Sequence, residues 1–149
     1  MQRKLQPHPH ARIFELRVYY EDTDFSGVVY HASYLRFLER GRTEFLRAIG
    51  LEHRTIFEQG DSFYFAVRAM TLDFKKPALM DDLLVVETRI EAVGGASIGM
   101  AQKVLRGDEI LVEAKVKIAV VGAGKAIRIP GQMRARLIDN SEAANPILT

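Results

Sequence analysis

Hydrophobic and polar positions alternate with period two over residues 13–21. Phe14, Leu16, Val18 and Tyr20 fall on one face, and Glu15, Arg17 and Glu21 on the other. Such alternation predicts a strand with one side against a core and the other against water. Turn formers break it at Asp22-Thr23-Asp24-Phe25-Ser26-Gly27, and Val28-Val29-Tyr30-His31 follows as a short connector. From Ser33 the period lengthens to that of a helix: Leu35, Leu38, Phe45, Leu46 and Ile49 form an apolar stripe with Phe37 beside it. Ser33 is expected as the N-cap and Gly50 as the stop. Arg36, Glu39, Arg40, Arg42, Glu44 and Arg47 are expected to fill the polar face. Gly41 within this helix costs about 1 kcal/mol relative to Ala, which points to a close approach to a sheet.

A shorter helical piece is expected over residues 51–59, ended by Gly60, and after it the chain reads as strands. One covers residues 62–74 and is closed by Lys75-Lys76-Pro77. Residues 83–93 set Leu84, Val86, Ile90 and Ala92 against Glu87, Arg89 and Glu91. Gly94-Gly95 turns the chain into a return strand over residues 96–105, and Arg106-Gly107-Asp108-Glu109 turns it again into residues 110–121. There Ile110, Val112, Ala114, Val116, Ile118 and Val120 face one way, and Glu113, Lys115 and Lys117 the other. Connections this short imply antiparallel hairpins. A turn at residues 122–124, a short strand over 126–129 and a turn of helix over 132–138 complete the pattern, with residues 1–12 and 139–149 expected as flexible ends. With no internal repeat or linker, residues 1–149 read as one domain. One long helix and a meander of long strands bury each other's apolar faces if the sheet curls round the helix, an α+β arrangement. Such a sheet has an exposed edge that pairing with a second copy would cover.

Composition narrows the function. The chain has 149 residues, 48% of them hydrophobic, which suits a single packed core and excludes a disordered segment. It has no Cys, which removes thiol catalysis, disulfides and thiolate metal sites and fits a reducing compartment. The first twelve residues are polar and basic and lack the apolar run of a signal peptide, and no stretch is apolar enough to span a bilayer. A cytoplasmic protein without membrane insertion is therefore expected. The net charge is +2, with basic and acidic residues interspersed and no basic block longer than a pair such as Arg3-Lys4. This pattern does not suit nucleic-acid binding, while mild positive charge favours the approach of a small anion.

Carboxylates, histidines and hydroxyls remain as candidate chemistry. His8, His10, His31 and His53 lack metal-site spacing, so no metal is expected. There is no nucleophile elbow around Ser26, no phosphate-binding loop and no dinucleotide fingerprint, and no cofactor is expected. Attention falls on residues 21–31, where three acids in four residues lie between the first strand and the long helix. Two readings are open. One is an acidic turn whose Asp side chains bond nearby amides, which composition alone favours. The other is a catalytic carboxylate: bulky Phe25, Val28, Val29 and Tyr30 suit a packed pocket, and the segment feeds a helix N-terminus whose free amides can hold developing negative charge. A carboxylate beside such amides can attack an acyl carbonyl or direct water to it.

The run Val18-Tyr19-Tyr20-Glu21-Asp22-Thr23-Asp24, then Gly27-Val28-Val29-Tyr30-His31-Ala32-Ser33-Tyr34-Leu35, then Phe37-Leu38-Glu39-Arg40 and Arg42-Thr43-Glu44, resembles the Tol-Pal-associated acyl-CoA thioesterases of the 4-hydroxybenzoyl-CoA thioesterase family. Asp73-Phe74-Lys75-Lys76-Pro77-Ala78 with Asp81-Asp82-Leu83 is similar to that family's next element. The likeness runs in order through residues 13–130. It implies a hot-dog fold, a curved antiparallel sheet round the long helix, assembled as a homodimer or homotetramer with sites at the dimer interface. By the same resemblance Asp24 is the catalytic aspartate and Asp22 a structural one. The carbonyl-polarising amide falls on His31, whose imidazole either assists or closes the loop. Tyr30 either lines the acyl or pantetheine path or belongs to the core, and Arg68 either contacts substrate or forms a surface ion pair. The implied partner is an acyl-CoA, with acyl carrier protein as a second possible donor.

Three departures stand out. The hairpin over residues 91–97 lacks the basic residues with which relatives often hold the CoA nucleotide, leaving Lys75, Lys76 or Arg89 as substitutes or the nucleotide weakly held. Gly41 stands where alanine is common, and Phe25-Ser26 occupies a variable spot placed to shape the acyl pocket. Two functions of different class result: hydrolysis of an acyl-CoA thioester, with Asp24 as general base or nucleophile, and a non-catalytic acyl-group or protein-binding module of the same fold. A dehydratase reading would need a catalytic His among prolines, which His31 lacks.

Overall fold

In the computed structural model, which describes residues 8–51 and 63–142, the alternating segments pair into one antiparallel sheet. Its strands are β1 (Arg12–Arg17), β2 (Phe63–Phe74), β3 (Leu83–Val93), β4 (Ser97–Arg106), β5 (Glu109–Gly122) and the short β6 (Lys125–Ala126). They run in the order β1-β3-β4-β5-β2, with β6 pairing β5. The sheet wraps round one long helix, α1 (Ser33–Ala48), which packs against β1 and β3. A second helix, α2 (Gly131–Asp139), buries Met133 and Leu137. Phe37, Leu38, Phe45 and Leu46 of α1 meet Leu84, Val86, Ile90, Ile98, Met100 and Leu111 in one core. This is the α+β architecture that the two periodicities imply.

Gly41 sits at the closest approach of helix and sheet. A Cβ there would lie 2.5 Å from Cγ1 of Val86 and 3.1 Å from Oγ1 of Thr88. Beside it a polar seam crosses the layers. Arg42 Nη1 donates to Gln102 Oε1 at 3.0 Å, and Gln102 Nε2 donates to Leu38 O and to Thr88 Oγ1, both at 2.9 Å. Arg42 is thus buried between helix and sheet rather than on the polar face, and this burial pulls the pKa of its guanidinium down. Gly50 closes α1 as expected: at φ 84° its N–H donates to Arg47 O, and Leu51 N–H reaches back to Leu46 O.

Several expectations give way to tertiary structure. β1 stops at Arg17, because Val18 turns its N–H to Asp82 O and takes the N–H of Asp81 on its own carbonyl. Tyr20 therefore leaves the inner face and stands exposed in a single 3-10 turn over Tyr20–Asp22. Ser33 is the first helical residue and not the cap. The cap is Ala32, and the Ser33 hydroxyl donates to Asp22 O at 3.0 Å. A register shift between Ile90 and Ala92 turns Ala92 out, while Glu87 is buried despite its charge. β6 reaches only Ala126 of the expected 126–129 strand, after which Ile127 and Ile129 donate singly to Val120 O and Gly95 O. Residues 8–12 and 139–142 are not loose ends: Ser141 bridges Ile90, Glu142 pairs with Arg89, and His8 Nε2 lies 3.5 Å from Glu142 Oε1. The helical piece expected over residues 51–59 lies outside the described residues, apart from Leu51. Among the described residues no helix is long and apolar enough to cross a membrane.

Candidate active site

The segment between β1 and α1 is braced by Asp22. Its side chain is buried, and Oδ2 accepts the N–H of Tyr19 at 2.8 Å, while Arg36 Nη2 lies 3.7 Å from Oδ1. Its carbonyl accepts the N–H of Tyr30 at 2.9 Å and the Ser33 hydroxyl. One residue thus ties the start of the segment to its end and to the first turn of α1.

Asp24 sits on the turn that this brace holds out. Its N–H donates to Val28 O at 2.8 Å, and Gly27, at φ 84°, donates back to Asp24 O at 3.1 Å. The base of the turn is tied by the Thr23–Val29 bridge, by a Val28–Leu79 bridge and by Val29 N–H to Ala78 O. Phe25 at the tip is fully exposed. Oδ1 of Asp24 accepts two hydrogen bonds from Ser26, one from the hydroxyl at 2.6 Å and one from the N–H at 2.9 Å. The Ser26 hydroxyl is the main cause that holds the Asp24 carboxyl below its ordinary pKa; desolvation opposes it, and the amides of Ser26, Val28 and Asp24 add to the lowering. Ser26 is the residue with hydrogen bonds of full geometry to this carboxylate, both on Oδ1, while the Val28 amide acts on it more weakly.

Tyr30 and His31 end the same segment at the start of α1. Tyr30 is 48% exposed, so it is not a core tyrosine, and its ring lies 4.5 Å from that of His31. The His31 ring meets Phe74 edge-on at 6.4 Å, and Phe74 lies 5.6 Å from Tyr34. The buried Tyr34 hydroxyl accepts the N–H of Ala78 at 2.9 Å, and burial raises its pKa. This row of rings connects the surface to the core at the start of α1. The backbone N–H of His31 donates to no group among the described residues. With no side chain capping α1, it is available to an external acceptor.

Arg68 is not brought to this place. It is the extra residue at the bulge between Val67 and Ala69 of β2, exposed, and six residues from Phe74. That is about 20 Å along a strand at roughly 3.3 Å per residue, so in one chain Arg68 stands apart from His31. The cations expected as nucleotide substitutes are engaged elsewhere. Lys75 pairs with Asp73 at 3.2 Å, Lys76 with Glu109 at 3.0 Å, and Arg89 with Glu91 at 3.4 Å and with Glu142. Two hollows of about 320 Å³ also lie elsewhere. One is on the outer sheet face beside Glu87 and Lys103, the other between α1 and β2 beside Arg42, Leu46 and Phe65. Asp24 itself is open to solvent on the single chain. Sequence pattern does not point to Phe74 or Tyr34, and it gives Ser26 a place beside the acyl pocket but no link to Asp24. The Asp-x-Ser spacing was the available signal for Ser26, since it lets a serine two residues on bond back to the carboxylate.

The sequence pattern of the thioesterase-like superfamily matches residues 18–137, from the end of β1 through the sheet and into α2. The chain belongs to that superfamily, and its fold is the hot-dog fold. It is similar to the acyl-CoA thioesterase YbgC of Haemophilus influenzae, 44% identical over 124 residues that cover 82% of this chain and 90% of that protein. The acyl-CoA thioester hydrolase YbgC of Escherichia coli O157:H7 is 38% identical over 130 residues, covering 87% of this chain and 90% of its own. A crystal structure of a probable thioesterase from Bartonella henselae matches with a TM-score of 0.77 and 47% identity, covering 80% of this chain and 99% of that one.

Proposed function

We propose that the protein hydrolyses acyl-CoA thioesters to the free acid and CoA, and that Asp24 is the carboxylate that does so. The observation that carries this is a carboxylate kept ionised on a braced turn, with Oδ1 held by Ser26 and an undonated N–H at His31 on the same segment. The relatives named as acyl-CoA thioesterases over most of the chain support the same reading. The His31 N–H then polarises the acyl carbonyl as negative charge develops on its oxygen. Two routes fit. Asp24 takes a proton from water, the resulting hydroxide attacks the carbonyl carbon, and the C–S bond breaks to release CoA. Alternatively, Oδ2 attacks the carbon itself, expels CoA as thiolate and leaves a mixed anhydride that water cleaves. Either route needs the carboxylate ionised, which a pKa below its ordinary value ensures at neutral pH.

Tyr30, exposed beside His31, is assigned to the acyl or pantetheine path. Since Arg68 stands apart from the site of its own chain, its proposed role is at the site of a second copy paired along the outer edge of β2. On this reading the working unit is a cytoplasmic homodimer or homotetramer of one domain per chain, taking acyl-CoA, or an acyl group on acyl carrier protein. A non-catalytic binding module would have no use for a carboxylate held ionised on a braced turn. Thiol release from a panel of aliphatic and aromatic acyl-CoAs tests the proposal. Turnover of at least one class is expected, and no release from any would contradict it.

A further inference from the structure

We propose that Ser26 is the positioning residue for Asp24: its hydroxyl and its N–H together grip Oδ1 and so present Oδ2 to the substrate. The inference rests on the reading of Asp24 as the reacting carboxylate. An exposed aspartate at a turn tip has two side-chain torsions free to rotate, and either oxygen could point outward. Here both donors of one residue fall on the same oxygen, at 2.6 and 2.9 Å. The backbone beneath them is fixed by the Asp24–Val28 and Gly27–Asp24 hydrogen bonds. The N–H bond is open to any residue at position 26, whereas the hydroxyl bond needs Ser or Thr. A hydroxyl donating to a carboxylate is a charge-assisted bond, among the stronger hydrogen bonds a side chain makes. Ser26 is exposed and its hydroxyl could be satisfied by water, yet it turns inward to Asp24.

The grip suits the chemistry through the whole step. When Oδ2 bonds to the acyl carbon and the C–S bond breaks, CoA leaves with the electron pair. Oδ1 then becomes the carbonyl oxygen of the anhydride and still accepts from Ser26. Water cleaves the anhydride, the acid departs, and the carboxylate is restored without having rotated.

Other ionisable groups near this turn are Glu21, Asp22, Tyr30 and His31 on the same segment. Lys75, Lys76, Asp81 and Asp82 belong to the β2–β3 connection that bridges to it. None of these is among the causes that lower the Asp24 pKa, which are hydrogen bonds led by the Ser26 hydroxyl. Removing that donor destabilises the ionised form and must raise the Asp24 pKa.

The test compares Ser26→Ala and Ser26→Thr in the full chain, with kcat, KM, melting temperature and a carbon NMR titration of the Asp24 carboxyl. For Ser26→Ala, kcat is expected to fall about tenfold with KM little changed, as a loosened reacting group would give. The Asp24 titration is expected to move to higher pH, and Ser26→Thr to restore both. A Ser26→Ala protein with unchanged kcat and unchanged titration would overturn the proposal. So would a loss of kcat with an unmoved titration that Thr does not restore, since that is the mark of a turn residue alone. Asp24→Asn separates the two readings. If it is inactive while Ser26→Ala is neutral, only the role of Ser26 fails. If Asp24→Asn is fully active, the reading of Asp24 fails with it.

Discussion

Two aspartates of one turn, separated by a single threonine, sit in opposite environments. Asp22 is buried, accepts the Tyr19 N–H, and anchors Tyr30 and Ser33 through its carbonyl. Asp24 is exposed, with one oxygen gripped by Ser26. Asp22→Asn keeps an acceptor for Tyr19 but loses the charge that strengthens that bond and faces Arg36. A cost of about 1–3 kcal/mol is expected in denaturant unfolding. The Asp-Thr-Asp motif was legible in the sequence through its family resemblance, which also assigned a role to each aspartate. What could not be read was the mechanism of the difference. Burial of Asp22 arises because α1 returns Ser33 to its carbonyl, and the state of Asp24 depends on a serine that looked like one turn former among several.

At the scale of elements, the contact between α1 and the sheet limits what the helix tolerates. A methyl group on Gly41 would meet the branched, stiff Val86 at 2.5 Å. Gly41→Ala gains helix propensity yet is expected to destabilise by about 1–3 kcal/mol, because overpacking outweighs that gain. Equilibrium unfolding reads the sign directly. The close approach was foreseen from a lone glycine in a helical stripe, and the bounds of β3 were foreseen from its alternation, although a register shift breaks the two faces after Ile90. Local pattern failed where the partner is remote. Arg42 looks like one more cation on a polar face, but its acceptor, Gln102, lies sixty residues away on β4. Tyr20 continues the β1 alternation, yet the backbone of Val18 has already turned to the β2–β3 connection. Glu142, which holds the two ends of the described chain together, likewise meets partners remote in sequence, Arg89 and His8.

For the whole molecule, the outer edge of β2 is the outstanding feature. Among the described residues this strand of 12 residues has β5 as its one neighbouring strand, with Tyr64, Val67 and Phe74 exposed along it. A strand edge of this length with no further strand beside it among the described residues invites a second copy. Light scattering at micromolar concentration is expected to give a dimer or tetramer, and a fully active monomer would contradict a site completed across that edge. Asp24 is the residue on which the proposed activity depends, and the most direct test is the kcat for acyl-CoA hydrolysis of Asp24→Asn beside Asp22→Asn, with melting temperatures for both. Asp24→Asn is expected to lower kcat by at least about 10²–10⁴, with KM and melting temperature nearly unchanged. Asp22→Asn is expected to retain most of its activity and to lose stability. An active Asp24→Asn protein, or an inactive but stable Asp22→Asn protein, would contradict the account.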